Sequence, residues 1–456
     1  MYVRSLILEN YKCFDIEAIS FSVPKRNTND ASVNNYTLIV GDNRSGKSAI
    51  LKAIAFNAIC PILSGSGFRP VFLSRNKAVK SSERVDSDML VGAVKGTYLL
   101  SESELDIEFA QRQAFVKHIQ KVVDVKFDPA KIPSMLGFAV DFQRIVTSSQ
   151  EKLNYFIVNP FEQITFFEDV ISKIGVKDFF ENFRYEEHLA NSVLFGEFSP
   201  YCFVAGYHPS RRIELAEWNA AAMNRQRGIR YQRVAGLFEE QVSLRPLTGW
   251  FQTLSKQRQQ EVEHLLASLL GGKPIRLTEA PQRDIYVDLG DGPLPFSVLS
   301  DGYRAFLAWT TDLIGQMCDV IPDTMALTDM TGIVLIDEID AHLHPKWQRR
   351  VVQDVTRTFP NLQFIATTHS PLVAGTVHPE NVLVTELQDD GTATVRRGTE
   401  ALIGRSANEI LLSSYFGLDS TRSGPVAEEI TKLLRQATDG DQDAALKAMR
   451  LLAGRE

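Results

Sequence analysis

Cysteine is scarce in this chain: four residues in 456, at Cys13, Cys60, Cys202 and Cys318, each isolated in sequence. None belongs to a C-x-x-C pair or to a His/Cys ligand spacing, which argues against a disulfide framework and against a structural zinc site. They are expected as buried thiols. Also missing is any apolar run near the roughly 18–20 residues that a membrane-spanning helix needs. The opening MYVRSLILENYKCF carries charges and a strand-like alternation where a secretory signal has its apolar segment. A cytoplasmic location without a membrane partner is expected. Positive charge is not in excess either, with 49 Lys+Arg against 56 Asp+Glu and a net charge of -7. Global attraction to nucleic acid is therefore absent, and DNA remains possible only through local clusters or partners. No repeat and no sustained heptad pattern is present, which excludes a solenoid and long coiled-coil arms.

What is there is ordinary globular composition, 44% hydrophobic and 23% charged, in a chain long enough for two or three domains. YVRSLIL at 2–8 alternates toward a strand, and YTLIV at 36–40 is a short apolar run ending at Gly41. SAILKAIAFNAI, after Lys47, has helical spacing of its apolar residues. Between 76 and 245 the charged and aromatic stretches ELDIEFAQRQAFVKHIQKVVDVKF and NYFIVNPFEQITFFEDVISKIGVKDFF read as helices of an insertion. From 248 a long helix, GWFQTLSKQRQQEVEHLLASLL, leads to the short strands IRLTE and IYVDLG. The tail, 407–436 and 441–453, reads as amphipathic helices separated by Gly and Pro signals. The expected organisation is a lobe at 1–75, a helical insertion at 76–245, a second lobe at 246–395 and a helical segment at 396–456.

Gly41-Asp42-Asn43-Arg44-Ser45-Gly46-Lys47-Ser48 is a complete G-x-x-x-x-G-K-S, with the strand before it and the helix after it that the motif requires. Such a loop curls its N–H groups and a helix N-terminus toward phosphate, Lys47 adds a point charge, and the Ser48 hydroxyl is a ligand for Mg²⁺. ATP and Mg²⁺ are the expected cofactors. Gly332-Ile333-Val334-Leu335-Ile336 is a buried aliphatic strand that ends in Asp337-Glu338. At the carboxyl end of a parallel strand the two acids face the ligand crevice. Asp337 is expected in the magnesium shell, and Glu338 is expected to orient or deprotonate the attacking water.

Leu299-Ser300-Asp301-Gly302-Tyr303-Arg304 opens a helical run, and FIATTHSP is an apolar strand that ends at His369. Together GDNRSGKS, VLSDGYR, VLIDEIDAHLHPKWQ and IATTHSP resemble the RecF/OLD/SMC-related ABC ATPases, and LSDGYR with DEID-HLHP is similar to ATPases of bacterial anti-phage systems. GYHPSRR at 206–212, the helix near Trp250 and SANEILLSSYFGL are most similar to the Septu-type ATPases, also found with some retrons. The resemblance implies an α/β P-loop NTPase of ABC type with a mostly parallel central sheet. It implies that Ser300, Asp301 and Gly302 form a signature loop acting on nucleotide held by Lys47 of a second copy, and that His369 is the switch histidine. It further implies a homodimer that governs a separate nuclease, of HNH type. Two alternatives stay open: a RecF-like clamp locked on DNA by ATP, and a PARIS-like ATPase holding a Toprim nuclease.

Several features depart from the pattern or invite other readings. Asp301 stands where transporters carry Gly, and the glutamine that would couple the insertion to nucleotide has three candidates, Gln143, Gln150 and Gln163. His342 and His344 lie two apart without a third ligand cluster, which argues against a metal site, and the resemblance implies a loop at the dimer interface there. Arg211 and Arg212 read as solvated surface, with phosphate or DNA contact as the alternative, and the Lys346-Trp347-Gln348-Arg349-Arg350 helix carries the same ambiguity. Asp389-Asp390 reads as turn chemistry. The 87 residues after His369 read mostly as helix, too few for the nuclease domain of OLD-type proteins. Lys47→Ala should abolish nucleotide binding, because a charge-assisted contact worth roughly 1.5–3 kcal/mol disappears. Equilibrium ATP binding checks this, and unchanged affinity would overturn the phosphate-loop assignment.

Overall fold

A computed structural model describes residues 1–24, 35–59, 89–99, 101, 135–146, 151–158, 199–211, 228–239, 242–245, 247, 250–280, 284–288, 290, 292–418, 421, 425–438 and 440–452. In chain order, strands β1 (Tyr2–Tyr11), β2 (Phe14–Ser20) and β3 (Tyr36–Gly41) lead into helix α1 (Lys47–Ala58). Strands β4 (Met89–Leu99), β5 (Met135–Val146), β6 (Glu151–Val158) and β7 (Phe203–Tyr207) come next, then α2 (Ile229–Phe238) and α3 (Lys256–Leu269). Strands β8 (Arg276–Ala280), β9 (Asp284–Asp288) and β10 (Pro293–Pro295) precede α4 (Asp301–Cys318). Then come β11 (Gly332–Ile336), α5 (Pro345–Gln348), α6 (Val351–Thr358), β12 (Leu362–Thr367), α7 (Pro371–Ala374), β13 (Val382–Leu387) and β14 (Ala393–Arg397). The chain closes with α8 (Ala407–Leu411), α9 (Pro425–Thr438) and α10 (Gln442–Leu452).

The central sheet runs β14-β13-β3-β12-β11-β7, with β13, β3, β12, β11 and β7 parallel and β14 antiparallel at one edge. Strands β3, β7, β11 and β12 are buried at every position, as parallel strands covered on both faces must be. Their period of two divides them between two cores. Leu38, Val40, Val334, Ile336 and Phe364 pack with residues of α3 and α4, whereas Ile39, Ile333, Leu335 and Ile365 pack with α1 and β1. A second, antiparallel sheet runs β2-β1-β4-β5-β6, and a third runs β10-β9-β8. α9 and α10 pack against each other.

Three expectations require correction. Within 76–245 the described residues contribute β4, β5, β6 and β7, with α2 the one helix among them, so the stretch is not simply a helical insertion. NYFIV lies on β6 and FVAGY is a fully buried strand beside β11, where β-branched and aromatic residues fit a pleated surface. ELDIEFAQRQAFVKHIQKVVDVKF and the remainder of the other segment lie outside the described residues, as do Gln150 and Gln163. The long helix begins at Lys256 and not near 248, because Ser255 caps it by accepting from Arg258 N–H at 3.3 Å while Trp250 and Phe251 are buried ahead of it. Past His369 the chain still supplies β13 and β14, and VLVT of β13 is buried beside β3.

Trp309 of α4 is fully buried, with its ring 5.7 Å from Tyr207 of β7 and 5.8 Å from Phe306. It fills the space between helix and sheet. Trp309→Ala should therefore lower stability by about 3–5 kcal/mol, read as a shift of the denaturant midpoint; a shift below about 1 kcal/mol would place the ring outside the shared core.

Candidate active site

The phosphate-binding loop, the acid pair and Thr367 gather where the parallel strands end. Strand β3 ends at Gly41, whose φ of 144° and closeness to β13 both exclude a side chain: a Cβ there would lie 2.2 Å from the carbonyl oxygen of Thr385. Asp42, Asn43 and Arg44 cross the loop exposed, and Ser45 is buried. The Ser45 hydroxyl lies 2.5 Å from Thr385 Oγ1 and donates to the Asp42 carbonyl at 2.7 Å, tying the loop to β13. Gly46, at φ 95°, is the N-cap of α1, and Ser48 stands in the first helical turn, half-buried.

The Lys47 ammonium turns back into the loop and donates to the carbonyls of Gly41 (2.8 Å) and Asp42 (2.7 Å). Burial pulls its pKa below the usual lysine value, against the opposing charges of Asp337, Asp42 and Glu338. The cation of β3's loop and the acids that follow β11 thus share one electrostatic environment. Register explains why: Ile336 is level with Ala366 of β12, and Ala366 with Leu38 of β3.

The two acids are held differently. Asp337 is 6% exposed, its N–H donates to the Tyr207 carbonyl at 2.9 Å, and its Oδ1 accepts from the Thr367 hydroxyl at 2.6 Å. Glu338 adopts φ 47°, unusual for a residue with a side chain, and its N–H donates to Thr367 Oγ1 at 2.8 Å. One hydroxyl therefore serves both acids. After Thr367, Thr368 donates to the Asp340 carboxylate and accepts from Ser370 N–H at 2.9 Å, leaving His369 between them exposed.

Ser300 is the exposed N-cap of α4 and makes no side-chain bond to its own helix. A Cβ built on Gly302 would lie 3.6 Å from the carbonyl oxygen of His342, so this helix start adjoins the segment carrying His342 and His344. That segment continues into α5, whose Trp347 packs edge-on against Tyr303 (4.8 Å) and Phe306 (4.9 Å) of α4. Asp301 begins the helix, with its side chain outside the described set. No group of three or more His, Cys, Asp or Glu suited to a metal occurs among the described residues. Asp389 and Asp390 lie in the β13–β14 turn, with Asp390 Oδ1 accepting from Thr392 N–H at 2.8 Å.

Sequence reasoning missed Thr367, Thr385 and Arg211. The last was expected at the surface, yet it is 6% exposed, and its guanidinium donates to the carbonyls of Asp337 (3.0 Å), Glu338 (2.7 Å) and Ile339 (3.4 Å). Burial lowers its pKa to about 10, with Asp340, Asp337 and Glu338 opposing. Arg212 lies outside the described residues. HPSR directly after the buried strand FVAGY was the available signal; what the arginine reaches, 126 to 128 residues onward, is visible only in the fold.

A phosphate-binding loop and an acid pair meeting at the carboxyl end of a mostly parallel sheet define an α/β P-loop NTPase fold. The chain belongs to the family described as AAA domain, putative AbiEii toxin, Type IV TA system, which matches residues 124–375, more than half its length. An AAA ATPase domain matches residues 1–59. A retron Ec83 probable ATPase from Escherichia coli is 37% identical over 136 residues, 30% of this chain and 25% of that one. Septu protein PtuA of Bacillus mycoides (strain KBAB4) is 29% identical over 223 residues, 49% of this chain and 30% of that one. A retron Vc95 probable ATPase of Vibrio cholerae serotype O1 biovar El Tor is 34% identical over 165 residues, 36% of this chain. The chain thus spans less than a third of the length of these three relatives, 25%, 30% and 31%. Among solved structures, an SmcHead bound to the C-winged helix domain of ScpA has 14% identity and a TM-score of 0.45, covering 87% of this chain and 97% of that one.

Thr367→Val keeps the shape but leaves the buried Asp337 carboxylate short of a donor and Glu338 N–H short of an acceptor. The expected loss is about 1–3 kcal/mol of stability, measured as a lower thermal midpoint. A midpoint equal to wild type would show that the hydroxyl is dispensable.

Proposed function

We propose that the chain binds and hydrolyses ATP, and that it does so as the regulatory ATPase of an anti-phage defence complex. The observation that carries the hydrolytic reading is the register that brings the end of β3, with the Lys47 loop, and the end of β11, with Asp337 and Glu338, to the same end of the sheet. Gly41, Asp42, Asn43, Arg44, Ser45 and Gly46 would wrap the phosphates with backbone N–H groups, and Lys47 would move from its own loop's carbonyls to the phosphate oxygens. Glu338, standing where β11 leaves the sheet, would accept a proton from water as that oxygen attacks the γ-phosphorus. The bond to the β–γ bridging oxygen then breaks, releasing ADP and phosphate, with His369 beside the transferred group. A single fixed carboxylate and a hydroxyl fit Mg²⁺, which fills its shell with water and phosphate oxygens. Ser48 and Asp337 would hold it, and it supplies charge neutralisation on the β- and γ-phosphates.

Two chains would face each other, the exposed Ser300 with Asp301 and Gly302 completing the site of the partner. The ATPase core on this reading comprises the lobes at 1–75 and 246–395, with β7 added from within 76–245 and the helical segment 396–456 appended. The likeness to proteins named Septu protein PtuA and to probable ATPases of retrons supports the defence setting. On this reading the partner that the ATPase controls is a separate nuclease of HNH type. No helix among the described residues is long and apolar enough to cross a membrane.

Glu338→Gln tests the reading. It should retain ATP binding, slow hydrolysis by roughly 10²-fold or more, and shift to a dimer in ATP by light scattering. Turnover equal to wild type would remove Glu338 as the base, and an ATP-bound monomer would remove the shared site. An HNH gene adjoining this one, with co-purification of its product, supports the effector assignment; a Toprim-like gene in that place replaces it.

A further inference from the structure

We infer that Arg211 is a positioning residue for ATP hydrolysis, fixing through three backbone carbonyls the turn from which Glu338 reaches the water. The inference rests on the hydrolytic reading above and deepens it. Strand β7 ends at Tyr207, whose carbonyl already receives Asp337 N–H, so the two strand exits leave the sheet side by side. The exit loop is braced on its own terms: Pro209 restricts the backbone and Ser210 N–H donates to His208 Nδ1 at 3.2 Å. Arg211 then takes φ 31°, a conformation unfavourable for a side-chain-bearing residue, which directs the guanidinium back under the turn of β11. Its Nη2 reaches both Asp337 O and Glu338 O, and Nη1 reaches Ile339 O. Glu338 itself sits at φ 47°. Two strained backbones are thus latched together by one planar fork of donors, at the residues that carry the chemistry.

Stability alone does not explain this arrangement. The guanidinium is buried, and its Nε is without a partner among the described residues, so Arg211 is desolvated without full repayment in hydrogen bonds. Local rules of satisfied burial are broken where function requires a particular geometry. A fork that spans three consecutive carbonyls fixes the direction in which Cα–Cβ of Glu338 points, and a shift of about 1 Å in a reacting group reduces rate on the order of 10²-fold. Lysine cannot reproduce the effect, because one ammonium has no planar spread.

The experiment compares wild type, Arg211→Lys, Arg211→Gln, Glu338→Gln and the double variant Arg211→Lys/Glu338→Gln in the full chain. Single-turnover ATP hydrolysis and equilibrium binding of a fluorescent mant-ATP with Mg²⁺ are measured for each, well below its thermal midpoint. Arg211→Lys and Arg211→Gln should each lose roughly 10- to 100-fold in the hydrolysis rate, with mant-ATP affinity within about twofold of wild type. In the Glu338→Gln background the lysine substitution should cost less than about twofold further, because two changes acting through one group do not add. Rates within twofold of wild type, a loss that remains in full in the Glu338→Gln background, or loss of mant-ATP binding in both single variants would each overturn the inference. A wild-type chain without turnover overturns the hydrolytic reading and the inference with it, whereas a hydrolysing wild type with an indifferent Arg211 overturns the inference alone.

Discussion

A parallel strand buried on both faces accepts a polar side chain only where that side chain finds partners, so charged groups wait until the strand leaves the sheet. Strands β3, β7, β11 and β12 are buried at every residue under this constraint, and the rest of the molecule follows from it. Gly41, Tyr207, Asp337 and Thr367 emerge at neighbouring levels because the strands are in register. The helices that flank the sheet are needed to cover it, and α1 and α4 begin at the two motifs, GKS and LSDG, that the sequence makes conspicuous.

The exits are then joined by polar contacts that no single strand could make. Thr367 serves Asp337 with its proton and Glu338 with its lone pair, while Thr385 holds Ser45 from the opposite side of β3 and reaches the Val40 carbonyl as well. Each hydroxyl is buried and each has two partners, which is the condition under which a polar group in low dielectric strengthens a site rather than weakening it. The loop cradle and the acid pair are in this way fastened to neighbouring strands, not merely adjacent to them.

The central elements were legible where period and motif coincide. YTLIV before GDNRSGKS and GIVLI before Asp337 are buried strands as read, and α1, α4 and the C-terminal helices follow their apolar spacing. The stretch from 76 to 245 was not legible in the same way, since NYFIV and FVAGY are too short for periodicity to separate strand from helix, and the partner of FVAGY lies far away in sequence. Arg211 shows the limit most clearly. A charged pair after His-Pro-Ser has the composition of solvated loop, and only the pairing of β7 with β11 carries it beneath the acids. Thr367 was hidden for the opposite reason: in an apolar strand a threonine looks like filler until its neighbour is known.

Tyr207 joins helix α4 to the exit of β11. Its backbone carbonyl receives the N–H of Asp337, and its hydroxyl donates to Asp312 Oδ2 at 3.1 Å in the middle of α4, where Arg245 N–H and Gln316 complete the carboxylate's bonds. Burial raises the pKa of this Asp312. Swinging α4 away from the sheet would strip that carboxylate of its Tyr207 and Arg245 donors and leave it Gln316 of its own helix, a penalty of about 1–3 kcal/mol per lost partner. Helix α4 and the strand that leads to the acid pair are accordingly both tied to Tyr207, the helix through its hydroxyl and the strand exit through its carbonyl, so one residue couples the two.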